Sequence, residues 1–139
     1  IVKRQGMPIS QIFETRGEEY FRELETGLLV ELQQRDGVIV SCGGGTPMRE
    51  CNVAEMKKSG IIVLLTARPE TIFERVRYSH NRPLIEHNKT VEYIAELLEK
   101  RREKYEAAAD VTIATDGKDT REICREIQDS VKEWEKQSC

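Results

Sequence analysis

Hydrophobic positions alternate between two spacings along this chain. Three continuous apolar runs rich in β-branched residues are typical of buried strands, at residues 38–42, 61–66 and 111–115. Elsewhere, apolar residues recur every three or four positions, which is the spacing of one helical face. This spacing predicts helices over residues 8–15, 18–35, 49–58, 69–77 and 90–108, and a last helix after residue 119.

Strands that alternate with helices predict an α/β fold, a three-layer αβα arrangement with a parallel sheet and right-handed crossovers. The run 61–66 is apolar on both faces, so we expect it to be the central strand. Three strands are fewer than the usual five or six. The chain begins at Ile1 in polar, helix-like sequence, and we therefore expect that one βα unit of this fold precedes it.

Local signals mark several helix ends. Gly37 follows the second long helical pattern and predicts its stop. Thr90 is a suitable N-cap for the helix after it. Asp119 and Glu122 have the spacing of a capping box at the start of the last helix.

Composition restricts the classes of function. The 139 residues fit a single domain, 1–139, and the 34% charged and 38% hydrophobic content is that of a globular protein. A net charge of −3 argues against nucleic-acid partners, and no apolar run is long enough for a membrane span. The four cysteines form no C-x-x-C pair, which favours a reduced, cytoplasmic protein.

Three consecutive glycines, Gly43, Gly44 and Gly45, follow the run 38–42, which places Cys42 in a core strand. We expect a loop at the carboxyl end of that strand, where ligands bind in open α/β sheets. Bare backbone lets a ligand approach closely. A tight turn is the alternative interpretation. The triplet is not a phosphate-binding P-loop, because no Lys-Ser/Thr pair follows it.

Arginines are the second candidate feature. Arg22 lies on the second long helix, Arg101 lies on the helix over 90–108, and Arg82 lies in an aperiodic loop over 78–89. A guanidinium group binds carboxylate or phosphate through two parallel hydrogen bonds, so three converging arginines would form an anion pocket. The alternative is three solvated surface arginines. His80 and His87, in the same loop, are expected to be solvated.

Six segments, taken in order and spacing, carry a resemblance to a known family. They are GMPISQIFE (6–14), GEEYFRELE (17–25), VSCGGG (40–45), RPLI (82–85), RREKY (101–105) and ADVTI (109–113). In these segments the chain resembles the shikimate kinase family of P-loop kinases. The resemblance implies transfer of the γ-phosphoryl group of ATP to the 3-hydroxyl of shikimate, in aromatic amino-acid biosynthesis. It also implies a cytoplasmic monomer with a small-molecule substrate.

The resemblance also implies residue roles. The arginine of the Phe-Arg-x-x-Glu segment, Arg22, and the arginine four residues before Tyr105, Arg101, would hold shikimate. The glycine triplet, through the backbone of its middle residue Gly44, would meet the same substrate. A lid over residues 78–89 would carry Arg82 to the ATP phosphates. For the nucleotide, the resemblance implies that either Arg75 or Arg77 packs near adenine. The loop 116–118, which contains Lys118, would border the adenine as well.

The chain departs from the family pattern at two places. It contains no G-x-x-x-x-G-K-[ST] sequence, and it lacks the family's Asp-x-Asp strand. Both would precede Ile1, so we expect the Mg²⁺ ligands there and expect this chain alone to be inactive. Two alternatives remain open. One is a related P-loop kinase for another small hydroxy acid, such as gluconate. The other is a non-catalytic module that keeps only the acid-binding face.

Overall fold

The computed structural model of the chain describes residues 1–79, 82–84 and 89–138. In this part of the chain the helices are α1 (Val2–Gln5), α2 (Ile9–Arg16), α3 (Glu18–Leu32), α4 (Glu50–Ser59), α5 (Pro69–Val76), α6 (Val91–Ala108) and α7 (Thr120–Ser138). The strands are β1 (Val63–Thr66) and β2 (Val111–Ala114), and a short 3₁₀ helix spans Thr46–Met48.

The two strands form a parallel sheet, as the alternation of strands and helices predicted. Val63 pairs with Val111, and the register continues to Thr66 opposite Ala114. The helices α5 and α6 provide the crossover between the strands. Just before β2, the carboxylate of Asp110 accepts a hydrogen bond from the backbone N–H of Ile62 at 2.8 Å and extends the pairing.

The predicted strand over residues 38–42 is wrong in this structure. The segment has no regular secondary structure, and its apolar side chains, which we expected to be buried, are exposed. Ile39 is fully exposed, and Val38, Val40 and Cys42 are exposed as well, so Cys42 is not a core residue. An apolar run becomes a strand only when a neighbouring strand accepts its hydrogen bonds, and no described strand lies beside this one.

The expectation that β1 is central is also wrong. In the sheet of β1 and β2, one edge of β1 carries no strand among the residues described. Leu65 is 52% exposed in consequence. The apolar composition of the run was correct for a strand, but composition does not show how many neighbours a strand will have.

Two apolar groups form the core. Between α5 and α6, buried Val76 and Ile94 pack with the half-buried side chains Ile72, Phe73, Tyr93, Leu97 and Leu98. Between α2 and α3, Ile12, Phe21 and Leu29 are buried, and the rings of Phe13 and Phe21 lie 5.1 Å apart. The second group places α3 firmly, and α3 carries one of the candidate arginines.

The helix ends agree with their local signals in most cases. The hydroxyl of Thr90 accepts a hydrogen bond from the Tyr93 N–H at 3.1 Å. The capping box is confirmed, since Asp119 accepts from the Glu122 N–H at 2.8 Å and Glu122 accepts from the Asp119 N–H at 3.1 Å. However, α3 ends at Leu32, before the predicted end at residue 35.

The apolar face of α7 is less buried than its sequence predicts. Ile123, Ile127, Val131 and Trp134 are half-buried, and no residue of this helix is fully buried. The helix packs mainly on β2, which covers only part of that face.

Three further expectations meet the structure here. Half of the predicted lid lies outside the described residues, and so do His80 and His87. Across the part of the chain with described coordinates, no helix combines the length and apolarity that crossing a membrane requires. Cys42, Cys51 and Cys124 are exposed free thiols.

Candidate active site

The glycine triplet forms a bend that leads into the 3₁₀ helix. None of Gly43, Gly44 and Gly45 has a positive φ, so this bend does not need glycine for a left-handed conformation. Gly44 and Gly45 are explained by space. A Cβ on Gly44 would lie 3.0 Å from the Tyr105 hydroxyl and 3.2 Å from Arg101 Nη1. A Cβ on Gly45 would lie 2.5 Å from Arg22 Cζ, well inside van der Waals contact.

Two of the three predicted arginines therefore meet at this bend. Arg22 comes from α3 and Arg101 from α6, and each guanidinium group lies against one of two adjacent glycines. Adjacent Cα atoms are about 3.8 Å apart, so both groups are within the span of one small molecule. The interpretation of Arg22 and Arg101 as separate solvated residues does not hold here.

Arg22 is held in place by carboxylates. Its Nη1 donates to Glu25 Oε1 at 2.5 Å, and its Nη2 donates to Glu18 Oε1 at 3.1 Å. The Arg22 and Glu25 side chains are 12% and 9% exposed, whereas Glu18 is 48% exposed. The pair with Glu25 is thus shielded from water, and it fixes the guanidinium in one orientation.

Glu25 also connects α3 to the glycine bend. Its second oxygen, Oε2, accepts a hydrogen bond from the Thr46 hydroxyl at 2.8 Å, and Thr46 follows Gly45 directly. Glu25 is buried, yet both of its oxygens have partners. A buried carboxylate is costly unless it is paired in this way.

Arg101 is in a different electrostatic situation from Arg22. Its Nη1 donates to the Tyr105 hydroxyl at 3.3 Å, and that hydroxyl donates to the Gly44 carbonyl at 2.7 Å. In the described ranges, no carboxylate lies within salt-bridge distance of Arg101. Arg101 is half-buried and presents an unbalanced positive charge at the bend.

Backbone donors complete the anion-binding character of the bend. The N–H groups of Gly44 and Gly45 have no acceptor within the described parts of the chain. Gly45 is itself buried. A buried N–H group without a partner is rare in proteins, and a ligand oxygen is one of the groups that can satisfy it.

A buried polar network supports the bend from below. Asn52 on α4 is fully buried, and its Nδ2 donates to the Thr46 carbonyl at 2.9 Å. Its Oδ1 accepts from the Thr26 hydroxyl of α3 at 2.7 Å. Arg49 donates to that hydroxyl at 3.3 Å and to Glu23 at 2.9 Å, and it also pairs with Glu19. These carboxylates raise the pKa of Arg49, with the hydrogen bond to Glu23 as the largest cause.

The candidate nucleotide residues lie on α5 and in the loop after β2. Arg75 on α5 donates to the Thr115 hydroxyl at 2.9 Å and to the Thr115 carbonyl at 3.1 Å, directly after β2. Arg77 instead pairs with Glu74 at 3.1 Å and lies over the rings of Phe73 and Tyr78. Of the two alternatives, Arg75 is the one attached to the loop after β2.

The loop after β2 is anchored to α5 by an acid. Asp116 accepts hydrogen bonds from the Thr71 hydroxyl at 2.6 Å and the Arg68 N–H at 2.9 Å. These two hydrogen bonds, the one from Thr71 first, lower the pKa of Asp116. In the same loop, Lys118 pairs with Glu126 of α7 at 2.7 Å, so its charge is already balanced.

Arg82 is exposed, and no contact between it and the glycine bend is seen in the described residues. The structure thus brings together Arg22, Arg101 and the glycine triplet, but does not bring Arg82 to them. Sequence reasoning missed Glu25, Thr46 and Asn52. For Glu25 a signal exists, because a carboxylate three residues after an arginine on a helix is within reach of it.

The donor set gives no support for a metal site in the described ranges. No group of three or more His, Cys, Asp or Glu side chains there could hold a metal ion. We therefore assign the Mg²⁺ ion no role through the described residues.

The chain has an α/β fold with a parallel sheet, and two guanidinium groups line its glycine bend, as in a protein class built on parallel sheets with a site at a strand's carboxyl end. The shikimate kinase family model matches residues 1–132. A shikimate kinase of Dehalococcoides mccartyi is 38% identical over 138 residues, which are 99% of this chain and 78% of that protein. The chain belongs to the shikimate kinase family.

Solved structures agree with this assignment. The shikimate kinase of Acinetobacter baumannii in complex with shikimate matches with a TM-score of 0.86 and 31% identity, over 91% of this chain and 71% of that one. The shikimate kinase of Aquifex aeolicus matches with a TM-score of 0.78 and 35% identity, over 94% and 76%. The predicted P-loop kinase fold is confirmed by these neighbours.

Proposed function

We propose that this chain provides the shikimate-binding face of an ATP-dependent shikimate kinase, which phosphorylates the shikimate 3-hydroxyl. One observation carries the proposal. Arg22 and Arg101 converge on two adjacent glycines, Gly44 and Gly45, whose N–H groups have no acceptor in the described structure. Family membership supports the reaction.

The two arginines differ in what they offer a carboxylate. Arg101 has no carboxylate partner among the described side chains, so it supplies the attractive charge. Arg22 is already balanced by Glu25 and supplies aligned N–H donors. A planar guanidinium matches a planar carboxylate through two parallel hydrogen bonds. Residues that are fixed before binding also lower the entropic cost of orienting the substrate.

On the nucleotide side, Arg75 is the residue that fits a purine ring. Its guanidinium is fixed by two hydrogen bonds to Thr115, and a fixed guanidinium plane can stack on an aromatic base. We keep Arg82 as the lid arginine and Gly43 as part of the substrate bend, on the family resemblance. Lys118 would have to leave Glu126 to bind a nucleotide.

Phosphoryl transfer depends mainly on positioning and on neutralising charge. ATP would supply the phosphoryl group. The residues of this chain would bind the acid, orient its ring and exclude water from the bend. We also keep the predictions that the protein is a cytoplasmic monomer without nucleic-acid or membrane partners.

Calorimetric titration of the chain with shikimate tests the proposal. Charge-assisted hydrogen bonds contribute about 1.5–3 kcal/mol each, so Arg101→Ala and Arg22→Ala should each weaken binding by about tenfold or more. Arg102→Ala is the matched control, since Arg102 is exposed and pairs with Glu99 and Glu106 on the same helix. It should bind shikimate as the unmodified chain does.

Two outcomes would contradict this function. The first is a folded chain that gives no heat of binding with shikimate. The second is preference for gluconate over shikimate in parallel titrations, which would favour a kinase for another hydroxy acid. If the Arg101→Ala and Arg102→Ala variants bind shikimate with equal affinity, the role assigned to Arg101 is wrong.

A further inference from the structure

We propose that Tyr105 is a positioning residue of the substrate site: its hydroxyl is held by the Gly44 carbonyl and orients the Arg101 guanidinium. The hydroxyl lies 2.7 Å from the Gly44 oxygen and 3.3 Å from Arg101 Nη1. This inference rests on the proposed function, because it concerns the same acid-binding bend.

The direction of each hydrogen bond follows from chemistry. A tyrosine hydroxyl has one proton to donate and lone pairs to accept with, whereas a guanidinium only donates. The carbonyl of Gly44 only accepts. The Tyr105 proton therefore goes to Gly44, and a lone pair of the same oxygen receives the Arg101 N–H. The Gly44 carbonyl thus fixes the Tyr105 oxygen, and that oxygen orients the Arg101 guanidinium.

Arg101 needs such a partner. Within the described structure, the Tyr105 hydroxyl is its one hydrogen-bond partner, and no carboxylate balances it. The two residues are four positions apart on α6 and so share a helical face. A neutral hydroxyl can orient the guanidinium without cancelling its charge. A carboxylate in that place would orient the guanidinium too, but it would repel the carboxylate of an acid substrate.

A simple structural role for Tyr105 is the competing explanation. However, the next residue towards the amino end already ties α6 to the 3₁₀ helix that follows the glycine bend. Lys104 Nζ donates to the Met48 carbonyl of that helix at 2.8 Å, and no hydrogen bond joins the Lys104 and Arg101 side chains in the described coordinates. Lys104 is thus a matched control, since it joins α6 to the 3₁₀ helix without a hydrogen bond to the arginine.

The experiment compares Tyr105→Phe with Lys104→Ala by calorimetric titration. The two ligands are shikimate and its neutral methyl ester. We expect Tyr105→Phe to weaken shikimate binding by about tenfold, the scale of one hydrogen bond to a charged group, and to change methyl ester binding less than twofold. Lys104→Ala should leave both affinities within twofold of the unmodified chain.

A double-mutant cycle separates positioning from structure. If Tyr105 acts through Arg101, then Tyr105→Phe should have no further effect on shikimate binding in an Arg101→Ala background. An undiminished effect in that background would overturn the inference. So would an equal loss for shikimate and its methyl ester, or a Tyr105→Phe chain that unfolds while Lys104→Ala stays folded.

Failure of the proposed function and failure of the role of Tyr105 would be seen with different variants of the chain. If the unmodified, folded chain does not bind shikimate, or if Arg101→Ala binds it normally, the proposed function is wrong and the inference is wrong with it. If Arg101→Ala binds weakly but Tyr105→Phe binds normally, the proposed function stands and only the role of Tyr105 is rejected.

Discussion

Arg22 and Glu25 form a shielded ion pair within one turn of α3, with Nη1 2.5 Å from Oε1. Both side chains lie at the glycine bend, and Glu25 continues the contact to Thr46. A candidate substrate arginine is thus oriented by a buried acid on its own helix.

This pair predicts a large stability difference between two acids that contact the same arginine. Glu25→Ala leaves Arg22 without its shielded partner and Thr46 without its acceptor, so it should lower the free energy of unfolding by about 3 kcal/mol. Glu18→Ala removes a half-exposed partner and should cost less than about 1 kcal/mol. Urea unfolding followed by circular dichroism measures both. Equal costs would show that burial of the pair is unimportant.

A second prediction concerns the glycine bend. A Cβ on Gly45 would overlap the Arg22 guanidinium, whereas a Cβ on Gly43 would lie 3.9 Å from Glu25 Oε2 and 4.0 Å from Thr46 Oγ1. Gly45 has φ −86°, which alanine adopts freely. Gly45→Ala should therefore displace Arg22 and weaken shikimate binding by about tenfold, the scale of one lost hydrogen bond to a charged group, with little change in fold.

Gly43→Ala is the control for that experiment. Its added methyl group meets only ordinary contact distances, so shikimate binding should stay within twofold of that of the unmodified chain. Calorimetric titration of both variants gives the comparison. Similar losses in the two variants would indicate a general intolerance of the bend to side chains, not displacement of Arg22.

A third prediction concerns the network under the bend. Asn52 is fully buried and joins α4 to α3 and to the backbone of Thr46. Asn52→Ala would leave the Thr46 carbonyl without its side-chain donor, at a cost of about 1–3 kcal/mol for a buried group left unsatisfied, whereas the Thr26 hydroxyl keeps the Arg22 carbonyl as an acceptor. Thermal unfolding should show a lower midpoint than in Cys51→Ala, a variant of the exposed neighbour. An unchanged midpoint would contradict the structural role of Asn52.

A fourth prediction concerns pH. The pKa of Asp116 is below its ordinary value of 3.8 in the folded chain, because Thr71 and the Arg68 N–H donate to its carboxylate. A carboxyl group whose pKa is lowered by folding stabilises the folded state when the pH is above the ordinary pKa. This contribution is lost as the pH falls through the folded-state pKa. At pH 7 the unmodified chain should have a higher melting temperature than the Asp116→Asn variant. This difference in melting temperature should shrink below about pH 4.

Melting temperatures of the two proteins between pH 7 and pH 3 test this sign. A difference that grows on acidification would mean that Asp116 is protonated more readily in the folded state than in the unfolded state. Thr71→Val removes the larger cause of the shift, so it should reduce the pH dependence in the same way.

The amino-acid sequence by itself determined most helices, the caps of α6 and α7, the family and the two arginines that meet at the glycine bend. These features depend on residues close together in the chain, such as the periodic face of a helix, the Asp119–Glu122 capping box or an ordered set of short motifs. The glycine triplet was visible too, but the close approach of Arg101 to Gly44 and of Arg22 to Gly45 was not.

Only the tertiary structure decided which distant groups meet. Tyr105 and Gly44 are sixty-one positions apart, and Thr46 and Glu25 are twenty-one apart, so no local pattern reports either hydrogen bond. The same reason explains the failed strand at residues 38–42. Its apolar composition is local, but a strand forms only through hydrogen bonds to a neighbour, and no described strand provides them.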